Sequence, residues 1–354
     1  MNKTFRRTLL TGLAAAPALS LLPRGTRAQA QSQAQSQPAR EVNVYSSRHY
    51  DTDRDLYDGF TRETGIRVRL IEGGEDALIE RMRNEGANSP ADVLITVDAA
   101  RLWRAKEAGL LAPTRSAVLE ARVPANLRDP EGYWFGLSKR ARVIMYDNAQ
   151  GLPAGLARYE DLANPQFRGV CVRSSNHPYN ISLAGSILAA NGESGLEEWA
   201  KGMVANFARQ PQGGDIPQIL GVAAGQCRFA ISNTYYLGRL LNSSKPEEKE
   251  AAQKIGVLFP NQADRGAHVN VSGAGVTKNA PNREAAVAFI EYLTSPRAQE
   301  LFANGNFEFP VVAGIPAHPT LVAFGPFRED SLNAATFGAN GPHALQVMQR
   351  AGWR

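Results

Sequence analysis

Two adjacent tyrosines, Tyr235 and Tyr236, stand where a predicted strand runs into a predicted helix, in the stretch CRFAISNTYYLGRLL. We expect the side chain of Asn233 or Thr234 to cap this helix. Successive side chains of a helix point about 100° apart, so two neighbours converge on one point only where the chain is still leaving the extended geometry. At a helix N-terminus, which carries partial positive charge, two phenolate oxygens could bind a hard trivalent metal ion such as Fe(III). The structural alternative is that Tyr235 packs in the core and Tyr236 is half exposed.

The first 30 residues carry a basic excess that the rest of the chain lacks. They contain five Lys and Arg residues and no acidic residue, and the remaining 34 basic residues equal the 34 acidic ones. This balance gives no reason to expect nucleic-acid binding. The apolar run Leu9–Leu22 and the small-residue site at 28–30 predict that residues 1–30 are a signal peptide. The pair Arg6-Arg7 favours the twin-arginine export route, with an ordinary export signal as the alternative.

The next segment, QSQAQSQPAR (31–40), has the polar low-complexity composition of a flexible tether. No later hydrophobic stretch is long enough to span a bilayer, so we expect the mature protein in the periplasm. The chain has two cysteines, Cys171 and Cys227, each eight residues before a tyrosine. An even pair in an oxidising compartment predicts one disulfide, and two buried free thiols are the alternative.

The order of predicted elements indicates an α/β fold with two lobes. Strands and helices alternate from EVNVYSS to AARLWRAKEAGLLAP, which predicts a mostly parallel sheet. Two long extended runs, at 134–148 and 266–279, predict crossovers between the lobes. We therefore expect a first lobe formed by 41–138 plus 266–310, a second lobe formed by 139–265 plus 311–354, and a ligand cleft between them.

Several common site motifs are broken in this sequence. The stretch DTDRDLYDGFTR has Leu56 and Arg62 where a calcium loop needs glycine and glutamate. The stretch GAGVTK ends in Lys278 where a dinucleotide fingerprint needs glycine, and no two histidines have zinc-site spacing. No motif indicates an enzyme.

Five collinear segments carry a family resemblance: VNVYSSRHYDTDRDLYDGFTRETGIRVRLIEGGEDALIERM, SPADVLITVDAARLWRAKEAGLLAP, CVRSSNHPYNISL, SNTYYLGRLL and RGAHVNVSGAGVTKNAPN. They resemble the ferric-iron-binding periplasmic proteins of ABC iron importers, over nearly the whole chain after the leader. The resemblance implies a two-lobed periplasmic-binding fold of type II whose lobes close on Fe(III). It also implies a monomer that delivers iron to the permease and ATPase subunits of an importer.

The resemblance also implies a set of ligands. One branch of the family adds a histidine from the first loop and a glutamate after the SPADV strand to the tyrosine pair. His49 fits the histidine, but Val97 stands at the glutamate position, and Asp98 beside it would point to the other face of a strand. Another branch uses more tyrosines, and its positions match Tyr50 and Tyr179. The implied Fe(III) ligands are Tyr50, Tyr179, Tyr235 and Tyr236, with His49 either as a fifth ligand or beside the shell.

Nearby cations fit this interpretation, because three or four phenolates offset or exceed the charge of one trivalent ion. A guanidinium beside them would balance an excess and lower the phenol pKa values. The candidates are Arg140 on the first crossover, Arg239 one turn after Tyr235, and Arg48. The alternative for each arginine is a surface ion pair.

Two other functions fit the same composition and order of elements. The two-lobed fold also carries anions and small organic ligands, which would use aromatic stacking and a carboxylate or arginine clamp. An exported metal-dependent enzyme would need an open coordination position on the metal and a nearby base.

Overall fold

The computed structural model describes residues 40–48 and 50–354. The predicted signal peptide with its twin-arginine pair, nearly all of the predicted tether and His49 lie outside the described residues, so these remain predictions. Over the part of the chain that is described, no helix is both long and apolar enough to cross a membrane.

The strands form two sheets that share one member. The strand order is β2-β1-β3-β8-β4-β6-β5, with β7 and β9 also paired to β4. The strands are β1 (Glu41–Ser46), β2 (Arg67–Glu72), β3 (Val93–Thr96), β4 (Phe135–Asp147), β5 (Val170–Cys171), β6 (Phe229–Asn233), β7 (Ile255–Leu258), β8 (Val269–Val276) and β9 (Phe309–Pro310).

Strand β4 is the crossover between the lobes. Residues 135–141 pair antiparallel with β8 in the first sheet, and residues 142–146 pair antiparallel with β6 in the second sheet. The first sheet also contains the parallel pairs β1·β2 and β1·β3, as the alternating sequence predicts. The predicted mixed α/β architecture with two lobes is therefore confirmed, while the lobe boundaries given above stay a prediction.

The helices cover the faces of both sheets. They are α1 (Asp53–Thr64), α2 (Glu75–Glu85), α3 (Ala99–Glu107), α4 (Ala117–Arg122), α5 (Pro178–Asn206), α6 (Asp215–Ala223), α7 (Thr234–Leu241), α8 (Pro246–Gln253), α9 (Arg283–Leu293), α10 (Pro296–Asn306), α11 (Pro319–Val322) and α12 (Ala334–Arg350).

Helix α1 shows how the sequence sets an element of the first lobe. Leu56 and Phe60 are four residues apart and buried, and the Phe60 ring packs edge-on against Phe289 of α9 with ring centroids 5.0 Å apart. The helix ends at Gly65, which has the left-handed φ of 71° that favours glycine. Thr52 occupies the N-cap position without capping, because its hydroxyl donates to Asn306 at the end of α10 instead.

The second lobe has a core cluster around two tryptophans, and it also contains a disulfide. Trp199 of α5 packs against the fully buried Trp353, with ring centroids 5.6 Å apart. The Trp353 indole N–H donates to the Arg173 carbonyl, so this core supports the loop that leads into α5. Cys171 and Cys227 form the predicted disulfide, with Cα atoms 5.8 Å apart. It joins β5 to the segment that enters β6.

A buried histidine lies where the lobes meet, just before β8. The His268 imidazole is fully enclosed and shares a 2.7 Å hydrogen bond with the Ser182 hydroxyl of α5. Burial, reinforced by the positive charges of Arg142 and Arg265, lowers its pKa to about 3. The unfolded chain therefore takes up a proton below its ordinary pKa while the folded protein does not. His268 therefore lowers the free energy of unfolding as the pH falls from about 6.5 to about 3.

We expect His268→Gln to weaken the pH dependence of stability. Between pH 7.5 and pH 5, the free energy of unfolding of the wild type should fall by about 2 kcal/mol more than that of the variant. Urea unfolding at both pH values measures this difference. The low pKa values of Glu308 and Asp215 act at more acidic pH, and any contribution from Glu75 is common to both proteins. Identical pH dependence in the two proteins would contradict the prediction.

Candidate metal centre

Three phenols of the second lobe meet at two helix starts. Tyr235 and Tyr236 open α7 with ring centroids 4.1 Å apart and planes tilted by 31°. The hydroxyl oxygens of Tyr235 and Tyr179 are 3.1 Å apart, and Tyr179 lies in the first turn of α5. Tyr235 and Tyr179 are buried, whereas Tyr236 is half-buried. The convergence expected of adjacent tyrosines at a helix start is present.

Each helix start is held by a side chain whose role the sequence did not reveal. Asn233 has the extended backbone of an N-cap, but its amide oxygen does not cap α7 and instead accepts a 3.1 Å hydrogen bond from Arg142. The expectation of an Asn233 or Thr234 side-chain cap is therefore wrong. Helix α5 is capped by His177, whose Nδ1 accepts from the backbone N–H of Tyr179 at 3.3 Å. This bond fixes the backbone from which the Tyr179 phenol projects.

Tyr50 comes from the other lobe, in the loop between β1 and α1. The Arg239 guanidinium carbon lies 4.6 Å from the Tyr50 ring centroid and 5.2 Å from that of Tyr235. Arg239 therefore lies against a tyrosine of each lobe, and the structure brings Tyr50 to the second-lobe tyrosines. Burial raises the Tyr50 pKa, aided by Glu308, while the surrounding guanidiniums oppose that rise.

Arg48 and Arg140 are buried beside the tyrosines, which excludes surface ion pairs for both. Arg48 makes a two-pronged contact with Asp53, at 2.8 and 3.1 Å, and a 3.0 Å bond to Glu308. Arg140 lies 3.6 Å from Glu308 and donates to the Ser272 hydroxyl. Their guanidinium carbons lie 4.9 Å from the Tyr50 ring centroid and 6.0 Å from the Tyr235 ring centroid, respectively. All three predicted arginines thus adjoin the phenols.

Two further arginines, Arg142 and Arg173, contact the Tyr179 ring. The sequence analysis did not predict them. The guanidinium carbons of Arg142 and Arg173 each lie 5.7 Å from the Tyr179 ring centroid. Both arginines bind the buried carboxylate of Asp215, at 2.8 and 2.6 Å. Arg142 also donates to Asn180 at 2.8 Å, in addition to its bond with Asn233. It therefore links the starts of α5, α6 and α7.

Burial dominates the acid–base behaviour of the site. Desolvation raises the pKa values of Tyr179 and Tyr235 well above their ordinary range, and neighbouring phenols add to the rise while Arg140 opposes it. These phenols are therefore protonated at neutral pH in the metal-free protein. A cation must displace those protons to bind, and a trivalent ion is well suited to do so.

The position where a glutamate could have stood carries no carboxylate of its own. The Val97 backbone N–H donates to the Glu75 carboxylate at 2.9 Å, and its carbonyl accepts from Arg140. Asp98 caps α3 through Ala100 N–H and accepts from Asn270, so its carboxylate is used elsewhere. Burial and the nearby Asp98 raise the Glu75 pKa to about 7.

The hard oxygen donors that are grouped together in this cleft are tyrosine phenols. Across residues 40–48 and 50–354, no group of three or more His, Cys, Asp or Glu side chains is arranged to hold a metal ion. The tyrosine cluster supplies anionic oxygen once its protons leave, which is the donor that Fe(III) prefers. The prediction for His49 falls on a residue outside the description.

Comparison with known proteins gives consistent matches. The family "Bacterial extracellular solute-binding protein" matches residues 88–323. The chain is 53% identical to iron uptake protein A1 of Synechocystis sp. over 316 residues, 89% of this chain and 88% of that protein. It is 30% identical to the Fe(3+)-binding periplasmic protein of Serratia marcescens over 88% of this chain and 90% of that protein.

Solved structures with the same fold include two proteins described as iron-bound or iron-binding. One is the Trichodesmium protein IdiA (FutA) in complex with iron and citrate ligands, with a TM-score of 0.87 and 55% identity over 89% of this chain and 100% of that one. Another is the ferric binding protein of Campylobacter jejuni, with a TM-score of 0.83 and 39% identity over 88% of this chain and 100% of that one.

Asp215 should be important for the stability of the second lobe. Asp215→Ala removes the carboxylate that neutralises Arg142 in a buried site, and we expect it to lower the free energy of unfolding by ~3–5 kcal/mol. Glu197→Ala is the matched control, because Glu197 pairs with Arg350 and Lys201 at the surface, where such pairs contribute little. Urea unfolding at pH 7 measures both variants, and an equal effect in the two would contradict the role given to Asp215.

Proposed function

This chain belongs to the family of bacterial extracellular solute-binding proteins, and we propose that it binds ferric iron in the cleft between its lobes and delivers it to the permease of an ABC iron importer. The observation that carries the proposal is the convergence of Tyr179, Tyr235 and Tyr236 with Tyr50 of the opposite lobe. Relatives named for iron uptake and ferric iron binding support it.

The proposed ligands are the phenolate oxygens of the four tyrosines. The three second-lobe phenols form a half-site at the N-termini of α5 and α7, where partial positive charge favours anionic oxygen. Tyr50 completes the set from the first lobe. Arg140 and Arg239 lie against the rings and offset the negative charge that more than three phenolates leave on a trivalent ion. His49 stays a predicted fifth ligand or neighbour of the shell.

Iron bound in this way would stabilise the closed arrangement of the lobes. A metal ion that bridges Tyr50 to the second-lobe tyrosines adds binding free energy only when both lobes contact it, so it shifts the hinge equilibrium towards closure. In our proposal the permease recognises the closed lobes and the ATPase subunits drive transfer. We propose that the carrier acts as a monomer in the periplasm. The predicted twin-arginine signal would export it there.

The colour of the iron-loaded protein tests the ligand set. We expect purified wild-type protein given ferric citrate to turn orange to red, because phenolate donates charge to Fe(III) in a visible transition. Tyr179→Phe and Tyr236→Phe should each shift or remove this absorption band, since each variant deletes one donor oxygen.

Tyr133→Phe is the matched control, because Tyr133 packs against Lys106 away from the cluster and its loss should leave the band unchanged. Calorimetry with citrate alone and with ferric citrate separates iron binding from anion binding. A wild-type protein that binds citrate but stays colourless would exclude the proposed function and favour an organic-anion carrier.

A further inference from the structure

A glycine of α7 is in close contact with the first lobe. A Cβ atom placed on Gly238 would lie 3.0 Å from Cβ and 3.1 Å from Cγ of Phe307. Phe307 ends α10 in the first lobe with a left-handed φ of 56°, and its ring packs edge-on against His318 with centroids 4.6 Å apart. The ring therefore contacts both α7 and His318.

A second glycine, in α12, makes a contact of the same kind with the first lobe. A Cβ atom on Gly338 of α12 would lie 3.1 Å from Cβ of Trp103 and 3.2 Å from Cα of Ala100. Both neighbours belong to α3 of the first lobe, and one of them is backbone. A groove of about 330 Å³ between α3, α5 and α12 runs beside this contact. Helix α3 and helix α12 therefore touch where the glycine leaves space.

Each contact adjoins an element that leads towards the tyrosine cluster. Gly238 is three residues after Tyr235, and Phe307 follows Asn306, whose side chain contacts the loop that carries Tyr50. Gly338 faces the helix that begins directly after Val97 and Asp98. The separation of the lobes at these two points therefore sets the distance between Tyr50 and the second-lobe phenols.

Backbone conformation does not explain either glycine. Neither Gly238 nor Gly338 has a positive φ, and both lie inside helices. Alanine at an interior helix position is favoured over glycine by about 0.5–1 kcal/mol, so helix propensity opposes both residues. The remaining explanation is space, and the space is needed by a neighbour from the opposite lobe.

We propose that Gly238 and Gly338 are positioning residues for metal binding, because they permit the lobes to approach until Tyr50 joins the other phenols. This inference rests on the proposed function, since it gives the two glycines a role in lobe closure on the metal. A larger side chain at either position would stop the lobes before the four oxygens can share one ion. The three atoms nearest to a Cβ at each position all belong to the opposite lobe.

The test compares iron affinity with stability in matched variants. Gly238→Ala and Gly338→Ala should each lower the affinity for ferric iron about tenfold, because overpacking the closed contact disfavours the closed state. Their metal-free melting temperatures should stay the same or rise, since alanine favours the helix. Gly338→Leu should bind more weakly still. Small-angle scattering should show a smaller iron-dependent decrease in the radius of gyration for all three variants.

Gly341→Ala is the control on the same helix. Its added Cβ would lie 3.0 Å from Cγ2 of Ile181 in α5, within the second lobe, so affinity should not change. Phe307→Gly is the rescuing change, because glycine suits the left-handed backbone there and removes the atoms that Gly238→Ala would meet. The Gly238→Ala/Phe307→Gly double variant should therefore bind more tightly than Gly238→Ala.

The outcomes separate the two proposals. A wild-type protein that binds no iron would overturn the proposed function and this inference with it. A wild-type protein that binds iron, with Gly238→Ala and Gly338→Ala equally tight, would overturn the inference alone. Affinity and melting temperature falling together in these variants, with no rescue by Phe307→Gly, would show a general packing role and would also overturn it.

Discussion

The balance of buried charge around the phenols is the constraint on which the rest of the site depends. Five guanidiniums contact the tyrosine rings, and three carboxylates pair with four of these guanidiniums. The arginines are Arg48, Arg140, Arg142, Arg173 and Arg239, and the carboxylates are Asp53, Asp215 and Glu308. The excess is positive, so the cleft favours anionic oxygen and partly offsets the cost of ionising buried phenols. Without an incoming cation the desolvation cost prevails and the phenols keep their protons.

The two lobes contribute unequally to this arrangement. The second lobe holds three phenols on two helix starts that Arg142 ties together, so this half of the site is preorganised. The first lobe contributes Tyr50 from a loop and keeps it near Arg48. Strand β4 carries Arg140 and Arg142 on either side of the point where it passes from one sheet to the other. The strand that forms the hinge thus also carries charge to both halves of the site.

The sequence predicts the parts of this structure that depend on local signals. The tyrosine pair could be placed because a strand precedes it and a helix follows it, and β4 because its extended run is too long for one lobe. Arg142 could have been found, since it lies two residues after Arg140 and shares its face of the strand. Asp215 and Glu308 could not, because each acts on partners more than 40 residues away and no local pattern marks a buried counterion. The predicted side-chain cap at Asn233 was wrong for the same reason. A distant arginine, Arg142, binds the amide oxygen that would have capped the helix.

The disulfide has a consequence for the rate at which a metal ion leaves. Cys171 and Cys227 are 56 residues apart in sequence, and each lies eight residues before a phenol of the second lobe. The covalent link prevents the segments before Tyr179 and Tyr235 from separating when the lobe unfolds locally. The disulfide therefore limits how far local unfolding can separate these two segments of the second lobe. In the proposed site, the lifetime of the bound ion would then depend on opening of the hinge, which separates Tyr50 from the second-lobe phenols.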